Sequence, residues 1–253
     1  MPKENGGGKT VRIGLVQMAM GRDRDSNVSK AIRLVRQAAK KGANIICLPE
    51  LFSSPYFPQA ENDKRAFGLA ETIPGQTTRE MSRLAKELGV VLIVPIYEKS
   101  SGKFFNAIAV IDETGKLLGK YRKMHLPNDP LFYEHNYFSH GDMGYKVFGT
   151  KYGRIAPLIC FDQWFPEAAR ISTLQGADII FYPTAIGWIR RYPAPDNWLD
   201  AWTTIQRAHS IANGVHIAAV NRVGVEGELA FWGSSFITDS FGKILKKGGA
   251  KEE

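Results

Sequence analysis

Two kinds of hydrophobic pattern alternate along the chain: short apolar runs, and longer segments in which apolar residues recur at helical spacing. Residues 11–18 and 43–50 are runs of the first kind and predict buried strands. The helix predicted between them begins near Ser26 and ends at Gly42, which is expected to form a left-handed cap. Its apolar face carries Val28, Ile32, Val35 and Ala39.

A second helix is predicted after Gly75. Thr77 and Glu80 have the spacing of a capping box at its start, and Gly89 is expected to end it. The apolar stripe of this helix consists of Met81, Leu84 and Leu88. The stripe predicts that one face of the helix packs on a sheet.

The pattern after this helix predicts two strands, at residues 90–97 and 105–111, joined by a turn at residues 99–103. From residue 121 to residue 142 the pattern loses its period, and the segment is dense in Pro, His, Asn, Asp and aromatic residues. Such a segment is uncommon inside a compact domain unless it is functional. We therefore expect residues 121–142 to form a functional loop.

Regular patterns return in the second half of the chain. Apolar runs predict strands at residues 154–160, 177–186, 215–223 and 234–240. Helical spacing predicts a helix at residues 166–176 and another that contains Trp198 and Trp202, whose rings we expect to pack mainly in the core. The two halves resemble each other coarsely, without a strict repeat or a linker. The pattern predicts a single α/β domain of two sheets packed face to face, with helices outside.

Composition and charge narrow the range of functions. The 253 residues, of which 44% are hydrophobic, suffice for a large core. The net charge of +8 is spread along the chain without a long basic run, so nucleic acid is not an expected partner. Residues 1–10 are polar and Gly-rich, which predicts a flexible tail, and no apolar run is long enough to span a membrane. With only two cysteines, Cys47 and Cys160, a reducing cytoplasmic setting is expected.

Three polar residues stand at chemically unusual positions. Glu50 ends an apolar strand, where an unpaired carboxylate would be costly to bury, and Lys123 begins the irregular segment. Cys160 lies between a strand and the helix that starts at Pro166, whose positive end should favour the thiolate. Taken singly, each has a simpler explanation as a cap, an exposed charge or a core cysteine. Cys47, in mid-strand, is assigned to the core.

The sequence around these three residues resembles a known family. The segments LPELF, KYRKMHLP and ICFDQWFPEAAR, in this order, are similar to the three active-site blocks of the nitrilase superfamily, and the likeness extends over residues 11–242. The resemblance implies a four-layer α-β-β-α sandwich over residues 11–253. It also implies a catalytic triad of Glu50, Lys123 and Cys160. Neither a cofactor nor a metal ion is expected.

The same resemblance assigns further residues and a mechanism. Glu134 matches the position of a second glutamate near the site. Substrate positioning is assigned to Tyr56, Phe161, Trp164 and Trp188. In the expected reaction Glu50 takes the proton of Cys160, and the sulfur attacks the carbonyl carbon of a small amide or ureide. The Lys123 ammonium and the Phe161 N–H then stabilise the oxyanion, and water releases the acyl- or carbamoyl-enzyme.

Within the superfamily, the segments HLPNDPLFYE, ICFDQWFPEAAR and FYPTAIG are most similar to the N-carbamoylputrescine amidase branch, which converts a ureido amine to the amine, carbon dioxide and ammonia. Where that branch usually has an acidic GSEP-like segment, this chain has GWIRRYP. Trp188 could offer a cation–π face to a cationic substrate, and Arg190 and Arg191 could equally point to solvent. N-carbamoyl-β-alanine, another N-carbamoyl amino acid or an ω-amide is therefore an alternative substrate.

Three other interpretations stay open on the sequence. A Cys-His-Asn hydrolase would need a histidine beside Cys160. The candidates are His125, His135, His140, His209 and His216. A metal site has less support, because no metal-binding motif is present. The third is a binding protein that kept the fold and lost activity. Family members usually continue for several tens of residues with another strand and an arm that packs across a dimer, whereas this chain ends at Glu253. A homodimer or higher homo-oligomer is nevertheless expected.

Overall fold

Two β-sheets pack face to face, and a pair of helices covers the outer surface of each. This computed structural model describes residues 10–193 and 197–253. The tail predicted at residues 1–10 therefore lies, except for Thr10, outside the described residues. The layers are those of the predicted α-β-β-α sandwich, which is confirmed.

The first half of the chain builds the first sheet. Its five strands lie side by side in chain order: β1 Ile13–Leu15, β2 Ile45–Cys47, β3 Val91–Ser100, β4 Lys103–Ile111 and β5 Leu117–Arg122. The first three strands are parallel, and the last two add on antiparallel. Helices α1 (Arg24–Lys40) and α2 (Gln76–Leu88) connect the parallel strands, because parallel neighbours need a long crossover.

Local capping explains where α1 begins and ends. The Asp23 carboxylate accepts a hydrogen bond from the Ser26 N–H at 2.8 Å, so the helix starts two residues earlier than the predicted Ser26. At the other end Gly42 has a φ of 87°, and its N–H donates to the Ala39 carbonyl at 2.8 Å. The predicted left-handed glycine is confirmed, one residue beyond the helix cap.

The second half of the chain builds the second sheet and two small ones. The remaining strands are β6 Asn128–Asp129, β7 Phe132–Tyr133, β8 Phe148–Thr150, β9 Gly153–Pro157, β10 Ile179–Thr184, β11 Gly187–Ile189, β12 His216–Asn221, β13 Val223–Glu226, β14 Leu229–Trp232, β15 Phe236–Thr238 and β16 Ile244–Lys247. The large sheet has the order β16-β15-β12-β10-β9-β8, while β11-β14-β13 and the β6–β7 hairpin stand apart. The helices are α3 (Pro166–Leu174) and α4 (Trp198–Asn213).

The core lies between the two sheets because alternate residues of a strand face opposite sides. In the first sheet Ile45 and Ile93 pack with second-sheet residues such as Ile155 and Phe181. The residues between them pack instead under α1 and α2, and they include Ile46, Leu48, Leu92 and Val94. Cys47 is buried in the inter-sheet core, as predicted.

The capping box predicted for α2 is wrong, and the turn predicted at residues 99–103 is present but shorter. The helix is capped two residues earlier than the Thr77–Glu80 box requires, at Gly75, whose N–H donates to the Thr78 hydroxyl at 2.5 Å. The Thr77 N–H is bound by the Glu71 carboxylate at 2.8 Å, a partner from the preceding loop that helix spacing does not reveal. The turn at residues 99–103 is a two-residue loop, because β3 and β4 extend to its edges.

Candidate active site

Glu50 lies fully buried, three residues beyond the end of β2. Its Oε1 accepts hydrogen bonds from the Lys123 ammonium at 2.9 Å and from the Asn106 side-chain amide at 2.7 Å. Its Oε2 is buried and has no hydrogen-bond partner within the described part of the chain. A buried acceptor without a partner is uncommon in proteins, and this one is available to take a proton.

The Lys123 ammonium joins two buried carboxylates. Lys123 follows β5 directly, and its Nζ lies 2.9 Å from Glu50 Oε1 and 2.7 Å from Glu134 Oε2. The Tyr56 hydroxyl donates to Glu134 Oε1 at 2.7 Å. The structure thus brings together four residues that the sequence singled out. Two carboxylates beside one ammonium leave an uncompensated negative charge, so one carboxyl is expected to hold a proton more tightly than usual.

The pKa values in this cluster follow from its burial and its charges. Burial raises the pKa of Glu134 to about 7, opposed by the Lys123 ammonium and reinforced by the Glu50 carboxylate. Burial alone would lower the pKa of Lys123, but the two carboxylates outweigh it and raise that pKa above its ordinary value. Lys123 therefore stays charged at neutral pH, whereas Glu134 exchanges its proton near neutrality.

Cys160 stands at a tight turn three residues after β9 ends. Its φ is 42°, a left-handed conformation that residues other than glycine rarely adopt. A single 3₁₀ turn, Cys160–Trp164, then leads toward α3. Such strain persists only where the surrounding structure fixes the backbone, and here it coincides with the residue predicted to be the nucleophile.

The expectation that a helix end favours the thiolate of Cys160 is wrong. Burial raises the pKa of the thiol well above its ordinary value, the Glu50 carboxylate raises it further, and Lys123 offsets this only in part. Helix α3 starts at Pro166, more than one turn away, and the effect of a helix dipole falls off within the first turn. The thiol is therefore protonated at rest and lies within electrostatic reach of the charged cluster.

Asp162 holds the turn that carries Cys160, and sequence reasoning missed it. Its Oδ2 accepts hydrogen bonds from the Ile159 N–H at 2.9 Å and from the Tyr121 hydroxyl at 2.8 Å. Its Oδ1 accepts from the His125 N–H at 3.1 Å and lies 2.8 Å from His125 Nδ1. One buried carboxylate thus ties the cysteine turn to β5 and to the loop after it.

Arg222 was also missed, although it ends an apolar strand in the same manner as Glu50. Its guanidinium donates to three main-chain carbonyls, those of Glu50 (2.9 Å), Leu51 (3.0 Å) and Ser54 (3.2 Å). It also pairs with Glu226 at 2.7 Å, and Glu226 accepts from the Tyr56 N–H at 2.6 Å. A buried arginine therefore fixes the segment that carries both Glu50 and Tyr56.

A pocket of about 390 Å³ reaches Cys160. Its walls are largely apolar and include four aromatic residues, Phe132, Phe161, Trp164 and Trp198. Phe161 and Trp164 were assigned to substrate positioning, whereas Trp198 was expected mainly in the core. A groove of similar size, about 410 Å³, lies between β1 and β16. None of the candidate site residues described above lines it, so the volume of a pocket alone does not identify the site.

The tryptophan and the two arginines that distinguish the GWIRRYP segment are not among the residues that line this pocket. Trp188 packs behind the wall, with its ring 4.6 Å from that of Trp232. Arg190 and Arg191 are exposed, and Arg191 lies 3.4 Å from the Glu228 carboxylate. The arginines therefore point to solvent, and their charges do not face the pocket.

A histidine base for Cys160 finds no support in the contacts. Across residues 10–193 and 197–253, no histidine ring is hydrogen-bonded to the Cys160 sulfur, and the His209 ring lies 2.8 Å from the Gln163 carbonyl. Those ranges contain no cluster of three or more His, Cys, Asp or Glu residues arranged to hold a metal ion. They also contain no helix with the length and apolar character needed to cross a membrane.

Known proteins resemble nearly the whole of this chain in sequence and fold. A sequence profile of the carbon-nitrogen hydrolase family matches residues 12–253. An N-carbamoylputrescine amidase from Solanum lycopersicum is 44% identical over 97% of this chain and 84% of its own length. A citrullinase from Francisella tularensis is 39% identical over 92% of this chain and 82% of its own. The crystal structure of a carbon-nitrogen hydrolase from Helicobacter pylori, 40% identical, superposes with a TM-score of 0.92 over 96% of this chain and 87% of that one.

Proposed function

Because the chain belongs to the carbon-nitrogen hydrolase family, we propose that it hydrolyses a small ureide through a covalent intermediate on Cys160, with N-carbamoylputrescine as the substrate. That it is an amidohydrolase follows from the family and from its amidase relatives. The observation that carries the mechanism is the buried cluster of Glu50, Lys123 and Glu134, whose charges act on the pKa of the buried Cys160 thiol.

The first step forms the bond between sulfur and carbon. The free Oε2 of Glu50 takes the proton of Cys160, and the sulfur attacks the ureido carbon. The carbonyl oxygen becomes an oxyanion, which the Lys123 ammonium and the Phe161 N–H stabilise by roughly 3 kcal/mol for each donor. A base is required because burial keeps the thiol protonated.

The second half of the reaction restores the enzyme. The bond from carbon to the terminal nitrogen breaks, and ammonia leaves with the proton that Glu50 held, which gives a thiocarbamate on Cys160. A water molecule then transfers a proton to Glu50 while its oxygen attacks the carbon. The carbon–sulfur bond breaks, the thiolate recovers its proton, and the carbamic acid that forms loses carbon dioxide to give the amine. Glu134 holds Lys123 in place throughout.

Sequence similarity supports the choice of substrate. The tomato relative named N-carbamoylputrescine amidase is 44% identical over nearly all of this chain. The exposed positions of Arg190 and Arg191 remove the main objection to a cationic substrate, since neither charge faces the pocket. The citrullinase relative keeps a ureide with an amino-acid end as the second candidate.

The substrate is tested by comparing kcat/KM for N-carbamoylputrescine with kcat/KM for N-carbamoyl-β-alanine and citrulline. We expect the cationic ureide to be preferred by at least about tenfold, which corresponds to about 1.4 kcal/mol. A clear preference for either of the other two would discard the putrescine assignment. Mass spectrometry of the enzyme quenched during turnover should show an adduct on the peptide that contains Cys160.

We also infer a homodimer or higher homo-oligomer and a cytoplasmic location, both on the family resemblance. Light scattering coupled to size-exclusion chromatography tests the first. A mass of one 28.1 kDa chain at micromolar concentration would contradict it.

A further inference from the structure

The pocket that reaches Cys160 has an acidic residue among its lining. Among the described residues that line it, Asp129 is the one with a charged side chain at neutral pH. Asp129 is exposed, whereas Cys160 is buried, so the carboxylate lies at the outer end of the pocket and the thiol at its inner end. A protein with a net charge of +8 therefore presents a negative charge at the entrance to its site.

Asp129 is held on a short hairpin that belongs to the site. In the β6–β7 pair Asp129 lies opposite Phe132, and Phe132 lines the same pocket. Leu131, in the turn, is buried in a cluster with Tyr56. The residue after β7 is Glu134, which is bound to Lys123. The hairpin is thus fixed at its base by the buried charges and at its turn by apolar packing.

The Asp129 carboxylate is available to a ligand. Within residues 10–193 and 197–253 its side chain takes part in no ion pair and no hydrogen bond, unlike Glu50 and Glu134 in the same site. Arg190 and Arg191, the cations of the neighbouring segment, do not line the pocket with it. A carboxylate without a partner beside several aromatic rings suits an organic ammonium, because the carboxylate and the faces of the rings both attract a cation.

We infer that Asp129 binds the distal ammonium of the substrate at the pocket entrance while the ureido carbon lies at Cys160. This inference rests on the proposed function and specifies what selects its substrate. Asp129 supplies the negative charge that the GWIRRYP segment lacks. Because the carboxylate is exposed, the interaction is modest in strength and weakens as salt is added.

The test compares three ureides of similar length: cationic N-carbamoylputrescine, neutral N-butylurea and anionic 4-ureidobutyrate. In Asp129→Asn, kcat/KM for the cation should fall about fivefold, through KM, while N-butylurea changes by less than about twofold. Asp129→Lys should lower kcat/KM for the cationic ureide further and raise kcat/KM for the anionic one. Addition of 0.5 M NaCl shortens the Debye length to roughly 4 Å, and it should therefore erase most of the difference in kcat/KM between wild type and Asp129→Asn.

Asp200→Asn is the matched control, since Asp200 is an exposed aspartate on α4 beside the lining residue Ala201 but does not itself line the pocket. This variant should leave kcat/KM unchanged for all three substrates. An equal loss on the cation and on N-butylurea in Asp129→Asn, or no change on either, would overturn the inference.

A binding measurement separates this inference from the proposed function. Calorimetry with putrescine on the Cys160→Ala protein measures the Kd of the ammonium site without turnover. Adding Asp129→Asn to that variant should raise the Kd about fivefold. If wild type hydrolyses none of the ureides while Asp129→Asn still weakens putrescine binding, the proposed reaction fails and the ammonium site stands. Unchanged putrescine binding beside normal turnover overturns the site and leaves the reaction.

Discussion

Glu50 and Glu134 are buried and paired with Lys123, and none of the three is among the described residues that line the pocket, whereas Asp129 lines the pocket and is exposed beside aromatic rings. Buried charges cannot be screened by water, so removal of one leaves the others uncompensated. An exposed charge interacts weakly with its partners, so its loss is expected to change the preference among substrates more than the value of kcat. We therefore expect changes in the strongly coupled buried groups to lower the rate of the proposed reaction, and a change at the weakly coupled Asp129 to alter substrate selectivity.

The largest expected effect is at Cys160. Cys160→Ala should lower kcat by at least about 10⁴-fold, because it removes the sulfur that forms the proposed covalent intermediate. Its melting temperature should stay close to that of wild type, since the change removes one sulfur atom. Steady-state assays and thermal melts check this. Near-normal turnover in either the alanine or the serine variant would refute the mechanism.

Removal of Lys123 should damage stability and activity together. Lys123→Met leaves Glu50 and Glu134 buried without their shared cation, and we expect a loss of about 3–5 kcal/mol in the free energy of unfolding. Urea denaturation measures it. Adding Glu134→Gln should recover part of the stability but none of the activity, which distinguishes charge imbalance from lost packing.

Lys120→Met is the control for this prediction. Lys120 also pairs with a buried carboxylate, that of Glu98, but Glu98 keeps Arg122 as a second cation at 2.7 Å. Its loss should therefore cost much less stability than that of Lys123. Equal losses in the free energy of unfolding of the two variants would contradict the prediction that the Glu50–Lys123–Glu134 cluster depends on its single cation.

The raised pKa of Glu134 predicts a specific dependence of stability on pH. Because the folded protein holds this proton more tightly than the unfolded chain, its contribution is complete below the ordinary value of 4.5 and is lost as the pH rises through about 7. Relative to Glu134→Gln, wild type should lose on the order of 2 kcal/mol across that window. His209, whose pKa is lowered by burial, acts with the opposite sign in both proteins and cancels in the comparison. Parallel pH profiles would contradict the prediction.

The smallest effect is expected at the aromatic wall. Trp198→Ala should raise KM about fivefold with kcat nearly unchanged, because the ring lines the pocket and is expected to contact substrate away from the reacting atoms. Trp202→Ala is the contrast: this ring is fully buried and donates to Gln163 at 2.8 Å, so stability should fall instead. A fall in kcat at unchanged KM in Trp198→Ala would contradict this prediction, because it would mean that the ring affects the reacting atoms rather than substrate binding.

Much of the fold could be predicted because its signals are local. The apolar period and the glycines at 42 and 89 identified α1 and α2, and apolar runs identified the central strands. The short strands β6, β7, β8, β11, β13, β14 and β16 were missed, since strands of two to four residues are defined by their partners rather than by a pattern of their own. Strand β5 was missed for a related reason: it merges into the segment that was assigned to a loop.

The site was predicted less evenly. Glu50, Lys123, Cys160 and Glu134 were found because they lie in segments that resemble known active-site blocks. Asn106, Asp162 and Arg222 are isolated polar residues in or beside apolar strands, and the partners that join them to other segments of the site lie 37 to 172 positions away along the chain. Nothing in the neighbouring residues shows where such partners are.

The pattern of residues along the chain was sufficient to predict the helices, the central strands, the packing of two sheets with helices outside, and the residue types that the proposed reaction needs. How those residues behave depends on the folded chain. Burial beside Glu50 keeps the thiol of Cys160 protonated where a nearby helix had suggested a thiolate. The folded chain also turns Arg190 and Arg191 away from the pocket and lines it with Asp129. Protonation and the charge that faces a substrate depend on distance and solvent access, and neither is encoded in any short stretch of chain.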